Sequence, residues 1–190
     1  MHSTSFLTGG QKNIAFCSAP ATGNNLFVYG SLMSHDVLEI LLGRVPETAV
    51  ASIRGFHRQR IENEVFPAMV PFEGKSVKGL LLKGINQLEQ EIIDVFEEDM
   101  YDKMIVEAEE EKSGTTTQAL AYVWNFTRSS CKLYGTWDYG EHFIPNLSSY
   151  KEMCEDFMQN DHDIQDIFEQ YGGSRGGLHD LGAGDTQIEN

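Results

Sequence analysis

An α+β fold, with short strands curled into a small mixed-strand β-barrel flanked by a few helices, is what this sequence predicts. Three observations carry that expectation. Apolar, strand-like runs recur six times between residues 26 and 125; helical spacing follows Ser34 and Asn86; and the segments between runs are short and turn-rich enough for hairpins. Closing such strands into a barrel hides edges that an open sheet would leave exposed. At 190 residues and 41% hydrophobic content, without an internal repeat, the chain can bury one good core and reads as one domain.

In chain order, residues 1–24 are rich in Ser, Thr, Gly and Ala with little periodicity and are read as a flexible N-terminal segment. The first strand, 26–29, breaks at Gly30 and runs into a helix that Ser34 caps, with Val37, Leu38, Leu41 and Leu42 along one face and Gly43 as its stop. Strands follow at 49–61, 66–70 and 77–84, the last two separated by the turn Phe72-Glu73-Gly74-Lys75. Asn86 caps a second helix whose Leu88, Ile92, Val95 and Phe96 form a buried stripe. That helix must stop soon after Phe96, because 101–108 reads as strand. Runs at 104–108 and 118–125 pair across Lys112-Ser113-Gly114. The folded domain is drawn at 25–160, leaving 161–190 as a glycine-rich, mobile extension.

Composition narrows the function. With 14 basic against 29 acidic side chains the net charge is −15, which repels nucleic-acid backbones and anionic lipid, so neither is an expected partner. No apolar run approaches the roughly 20 residues needed to span a bilayer. No charged region followed by an apolar core marks a secretory signal, and a soluble, cytoplasmic protein is expected. Cys17, Cys131 and Cys154 form neither a metal pair nor an even disulfide framework, and His35, His57 and His142 are scattered, so no metal site is expected.

Two places carry chemistry. The strand-turn-helix junction at Phe27-Val28-Tyr29-Gly30-Ser31-Leu32-Met33 has the form of an anion-binding turn: glycine's freedom lets consecutive N–H groups converge on one carboxylate or phosphate. A glycine of purely steric purpose fits the same junction. The second is Glu97, at the C-terminal end of the second helix and followed by Glu98 and Asp99. The negative helix end, the like-charged neighbours and any burial would all raise its pKa. A solvated acidic loop fits the same three residues.

The order of motifs resembles a known family. Val28-Tyr29-Gly30-Ser31-Leu32, Gly55-Phe56, Phe66-Pro67-Ala68 and Asp94-Val95-Phe96-Glu97 with Tyr101 and Val106 are similar to the γ-glutamyl cyclotransferase-like superfamily. Its γ-glutamylamine cyclotransferase and plant avirulence-induced-protein branch also shares a segment like Tyr134-Gly135-Thr136-Trp137-Asp138. The resemblance spans about residues 25–160. It implies a small barrel flanked by helices and an acyl transfer that cyclises a γ-glutamyl group to 5-oxoproline, releasing an amine or amino acid without a cofactor. It further implies that the turn Tyr29, Gly30, Ser31, Leu32 and Met33 holds the substrate's carboxylate and that Glu97 is the general acid and base. Tyr134 and Tyr101 would be pocket walls. Two departures stand out: Glu98 takes the place of a glycine and Lys103 that of an arginine, which bears on substrate choice more than on the core reaction. The expected partner is a small γ-glutamyl molecule, the protein being a monomer or homodimer. The alternative is a non-catalytic module binding a related carboxylate on the same fold.

Overall fold

The computed structural model describes residues 24–172. The expectations for residues 1–23 and for the glycine-rich stretch from 173 onward lie outside the described residues.

Six strands are described: β1 (Asn24–Val28), β2 (Glu47–Ile61), β3 (Pro67–Ile85), β4 (Tyr101–Glu110), β5 (Thr116–Trp124) and β6 (Leu133–Tyr134). The first five close in the order β3-β1-β5-β4-β2, with β2 pairing back onto β3, and β6 extends from β2. Every pairing is antiparallel except β1 with β5, which makes the barrel mixed. Alternation along the strands separates two cores. Phe27 and Tyr29 of β1 and its end, with Ala119, Ala121 and Val123 of β5, pack among strand residues alone and fill the barrel. Leu26, Val28, Tyr122 and Trp124 face the other way, beneath the helices. Ala51, Ala108, Ala119 and Ala121 make room inside the narrow five-stranded barrel for Phe27, Tyr29, Met69 and Leu81.

One expected pair of strands is a single strand. The sequence separates residues 66–70 from 77–84 at Phe72-Glu73-Gly74-Lys75, yet β3 runs through all of them. Phe56 pairs with Pro71 and Arg54 with Ser76, so the four turn-like residues bulge outward opposite Gly55 at φ 83°. A local turn signal cannot tell a hairpin from a bulge, because both need exposed polar residues and a positive-φ glycine.

Four helices cover the barrel: α1 (His35–Leu42), α2 (Gln87–Glu97), α3 (Leu147–Asn160) and α4 (His162–Gln170). The Ser34 hydroxyl accepts from the Val37 N–H, Gly43 stops α1 at φ 69°, and all four expected apolar residues of α1 are buried. Asn86 and Glu89 form a reciprocal capping box on α2. The expectation of a mobile segment from 161 needs correction, since α4 folds onto the domain with Ile164 and Phe168 buried. Asp161 caps it, and the Tyr171 hydroxyl reaches Glu91 Oε1 at 2.9 Å. Two apolar side chains one turn apart, in a stretch rich in Asp, Glu and Gln, were too short a pattern to stand out. Among the described residues no helix is long and apolar enough to cross a membrane.

Candidate active site

A cavity of about 500 Å³ opens between the end of β1, the loop joining β2 to β3, the end of α2 and one face of α3. Tyr29, Gly30, Ser31 and Leu32 form one side of it, Glu97 and Tyr101 another, and Tyr150, Met153 and Phe157 of α3 a third. The two places singled out in the sequence, 65 positions apart, therefore share one enclosure.

The turn is tight for a definite reason. Gly30 has φ −124° and ψ −133°, so a left-handed φ is not what requires glycine here. A Cβ at this position would lie 2.9 Å from Cδ of Pro67, whose carbonyl is itself held by the Tyr101 hydroxyl at 3.0 Å. Gly30→Ala is expected to displace the turn and lower kcat/KM about 10- to 100-fold, because misplacement near 1 Å is that costly to an oriented reaction. Steady-state rates beside a melting curve check this, and a rate within twofold of wild type would show the close approach to be unimportant.

After Gly30 the chain makes one short turn of helix, Ser31–Met33, with the Met33 N–H bonded to the Gly30 carbonyl at 3.0 Å. N–H groups at the head of such a turn have no acceptor within it. The Gly30 N–H donates no hydrogen bond among the described residues. The Ser31 side chain is buried, and its Oγ accepts from the Tyr150 hydroxyl at 3.1 Å.

Glu97 is the last residue of α2, and Glu98 ends the helix with φ 55°. The carboxylate accepts no hydrogen bond among the described residues. Its side chain keeps some accessible surface because it borders the cavity, yet protein crowds it closely enough that desolvation dominates its chemistry. Burial, and secondarily the charge of Asp94, raise its pKa to about 8. The like-charged neighbour is thus Asp94, one turn earlier on α2, and not Glu98 or Asp99, which are exposed. Asp94 is fixed by the Tyr122 hydroxyl at 2.5 Å, Gln90 Nε2 at 2.9 Å and Lys103 Nζ at 2.7 Å. Burial first, then the hydrogen bond to Asp94 and its charge, raises the pKa of Tyr122, and burial first, then the charges of Cys154 and Glu97, raises that of Tyr150, so both stay protonated at neutral pH.

Two expected residues fall elsewhere. Met33 does not line the cavity; its Sδ lies 3.8 Å from Arg58 Nη1 on the far side of the turn. Tyr134 is exposed on β6, its ring beneath the Arg60 guanidinium at 4.7 Å, and does not reach the cavity. Met153 and Phe157, beside Tyr150 on α3, are wall residues that sequence reasoning missed. The spacing Tyr150, Cys154, Met158, all buried on α3, was the available signal. Among the described residues the one trio able to bring metal-ligating atoms within 4.8 Å is His162, Asp163 and Asp166, all exposed on α4 and none lining the cavity.

Residues 26–139 match the family model described as gamma-glutamyl cyclotransferase, AIG2-like. The chain belongs to that family. AIG2-like protein D of Arabidopsis thaliana is 35% identical to this family member over 147 residues, 75% of the present chain and 93% of the relative. AIG2-like protein C of the same plant is 35% identical over 136 residues, covering 72% and 78%. A solution structure of another Arabidopsis thaliana protein superposes with TM-score 0.56 at 28% identity, covering 75% of this chain and 96% of that one. A gamma-glutamyl cyclotransferase superposes with TM-score 0.52 at 15% identity, covering 78% and 99%, and so shares the fold of this AIG2-like chain.

Proposed function

We infer that this protein is a γ-glutamyl cyclotransferase that acts on γ-glutamyl amines, with Glu97 as its general acid and base. The observation that carries this reading is a carboxylate of pKa about 8, without a hydrogen-bond partner among the described residues, facing the same cavity as the Tyr29–Leu32 turn. An ordinary carboxylate is too weak a base to take a proton from the substrate's ammonium, and a pKa near 8 closes most of that gap.

The reaction then runs through proton transfers on Glu97. Glu97 removes a proton from the α-ammonium, and the freed amine attacks the γ-carbonyl carbon to close a five-membered ring. The tetrahedral intermediate collapses as protonated Glu97 returns that proton to the departing nitrogen, and the second proton of the ring nitrogen passes by way of the Glu97 carboxylate to the released amine, which leaves as an ammonium. The new C–N bond replaces the old one, so 5-oxoproline and an amine leave and no water is consumed. Holding the α-carboxylate on the free N–H groups of the turn keeps the glutamyl chain folded, and oriented intramolecular reactions of this kind reach effective molarities on the order of 10⁵ M or more.

The leaving group follows from the mouth of the cavity. Glu64 and Glu98, both exposed, stand there, and among the described residues no Lys, Arg or His lines the cavity. A departing group that carries a positive charge besides its reacting nitrogen suits that rim better than one whose only other charge is a carboxylate. Replacing both Glu64 and Glu98 by Gln is expected to shift the preference for γ-glutamyl-ε-lysine over glutathione about 3- to 10-fold toward glutathione, an effect that salt screens. An unchanged ratio at low salt would remove these two residues from the specificity argument.

The deciding experiment is 5-oxoproline release, followed by mass spectrometry, from purified protein given γ-glutamyl amines, γ-glutamyl amino acids, γ-glutamyl-ε-lysine and glutathione. Release from at least one substrate supports the reading. Binding of these compounds without release from any of them would overturn it in favour of a ligand-binding module.

A further inference from the structure

Arg58 and Trp137 take no part in the chemistry described so far and do not line the cavity, yet they form its backing. Arg58 projects from β2, half-buried, and its Nη1 donates to the Tyr29 carbonyl at 2.7 Å. Its guanidinium lies 5.1 Å from the ring centre of Trp137, which is 1% exposed. Trp137 is anchored in turn, its indole N–H donating to the Val65 carbonyl at 2.8 Å and its backbone N–H to the Arg58 carbonyl at 3.3 Å. The segment around Trp137 is therefore a strap that locks Arg58 in one rotamer by stacking and hydrogen bonding.

We propose that Arg58, held by Trp137, is the positioning residue that turns the Gly30 N–H toward the substrate carboxylate. The inference rests on the cyclotransferase reading above. No cis peptide occurs among the described residues, and in a trans peptide the carbonyl and the following N–H point to opposite edges of one plane. Arg58 draws the Tyr29 carbonyl to the side away from the cavity, so the Gly30 N–H of the same peptide faces the cavity, where it meets no acceptor among the described residues. The Tyr29 hydroxyl, bonded to the Tyr122 carbonyl at 2.7 Å, pins the other end of that residue. The peptide has one orientation before any substrate arrives, and no binding energy is lost in rotating it.

The test uses two substrates that differ only in the carboxylate: a γ-glutamyl amine, and the matching 4-aminobutyryl amide, which cyclises to 2-pyrrolidinone. Wild type is expected to favour the first strongly. In Arg58→Met, kcat/KM for the γ-glutamyl amine is expected to fall at least tenfold, mainly through KM, while that for the 4-aminobutyryl amide changes less than threefold. The pH profile should keep its limb, because Glu97 is untouched. Arg58→Lys, which retains a donor without the planar fork, should recover part of the preference and serves if the Met variant does not fold. Equal losses on both substrates, or undiminished preference in either folded variant, would overturn the proposal while leaving the cyclotransferase reading intact. Absence of release by the wild-type protein would overturn both.

Discussion

Glu97→Gln is expected to lose 10²- to 10⁴-fold in kcat while becoming the more stable protein at alkaline pH. The amide keeps the size of the side chain but can neither accept the ammonium's proton nor return one. Wild-type kcat/KM should rise about tenfold per pH unit up to about 8, where the Glu97 proton is lost, and that limb should be missing from whatever activity the variant retains. The stability effect follows from the same shift. A carboxyl with an ordinary pKa of 4.5 when unfolded and about 8 when folded binds more protons in the folded state between those values. Wild-type stability therefore falls as pH rises from 4.5 to 8, and the full penalty, roughly 3–5 kcal/mol, is present above 8. Glutamine carries no such penalty. Denaturant unfolding of both proteins at pH 4.5 and pH 9 should show near equality at the first and a more stable variant at the second. A variant with wild-type rate would remove Glu97 from the mechanism, and equal stability at pH 9 would mean that its carboxylate is well solvated.

The second large effect lies away from the cavity. Glu89 is charged and buried, its side chain 2% exposed, and Arg44 meets it in a bidentate pair at 2.5 and 2.7 Å. Arg44 also donates to the Gly84 carbonyl at 2.9 Å, and Glu89 accepts the Asn86 N–H at 2.8 Å, so one ion pair ties the end of α1 to the start of α2. Arg44→Met keeps the apolar stem and strands the carboxylate, a loss of about 2–4 kcal/mol; the lower part of the range for broken buried pairs applies because Arg44 is 42% exposed. In a Glu89→Gln background the same substitution should cost less than about 1 kcal/mol, since no buried charge is left behind. Equal losses in the two backgrounds, measured by urea unfolding, would mean that the guanidinium stem and not the charge pair carries the effect.

Both residues show how unevenly the sequence discloses its structure. The caps and stops of α1 and α2, the hairpin across Lys112-Ser113-Gly114 and the apolar face of α1 could be read directly, because each depends on neighbours within about four positions, whereas on α2 Leu88 and Ile92 are buried with Ile93 and the expected Val95 and Phe96 are only partly so. Glu89 was invisible as a buried charge, for it differs in nothing local from Glu91, and only Arg44, 45 positions away, makes its burial tolerable. The same holds for β3, where the bulge at 72–75 is set by pairing with β2 and not by its own residues.

By itself the sequence determined the α+β class, the termini of α1 and α2, the turn at Gly30 and a carboxylate placed where a helix must end. All of these follow from local backbone sterics, capping and period. Tertiary structure decided what those features amount to. It closed five strands into a barrel, brought Glu97 to the cavity of the Tyr29–Leu32 turn, left Met33 and Tyr134 outside it, and assigned the pKa-raising charge to Asp94 in place of Glu98 and Asp99. It also placed Arg58 and Trp137 behind the turn. The physical reason is range: capping and periodicity act over a few residues, whereas desolvation and the direction of a peptide N–H depend on which distant segments close around them.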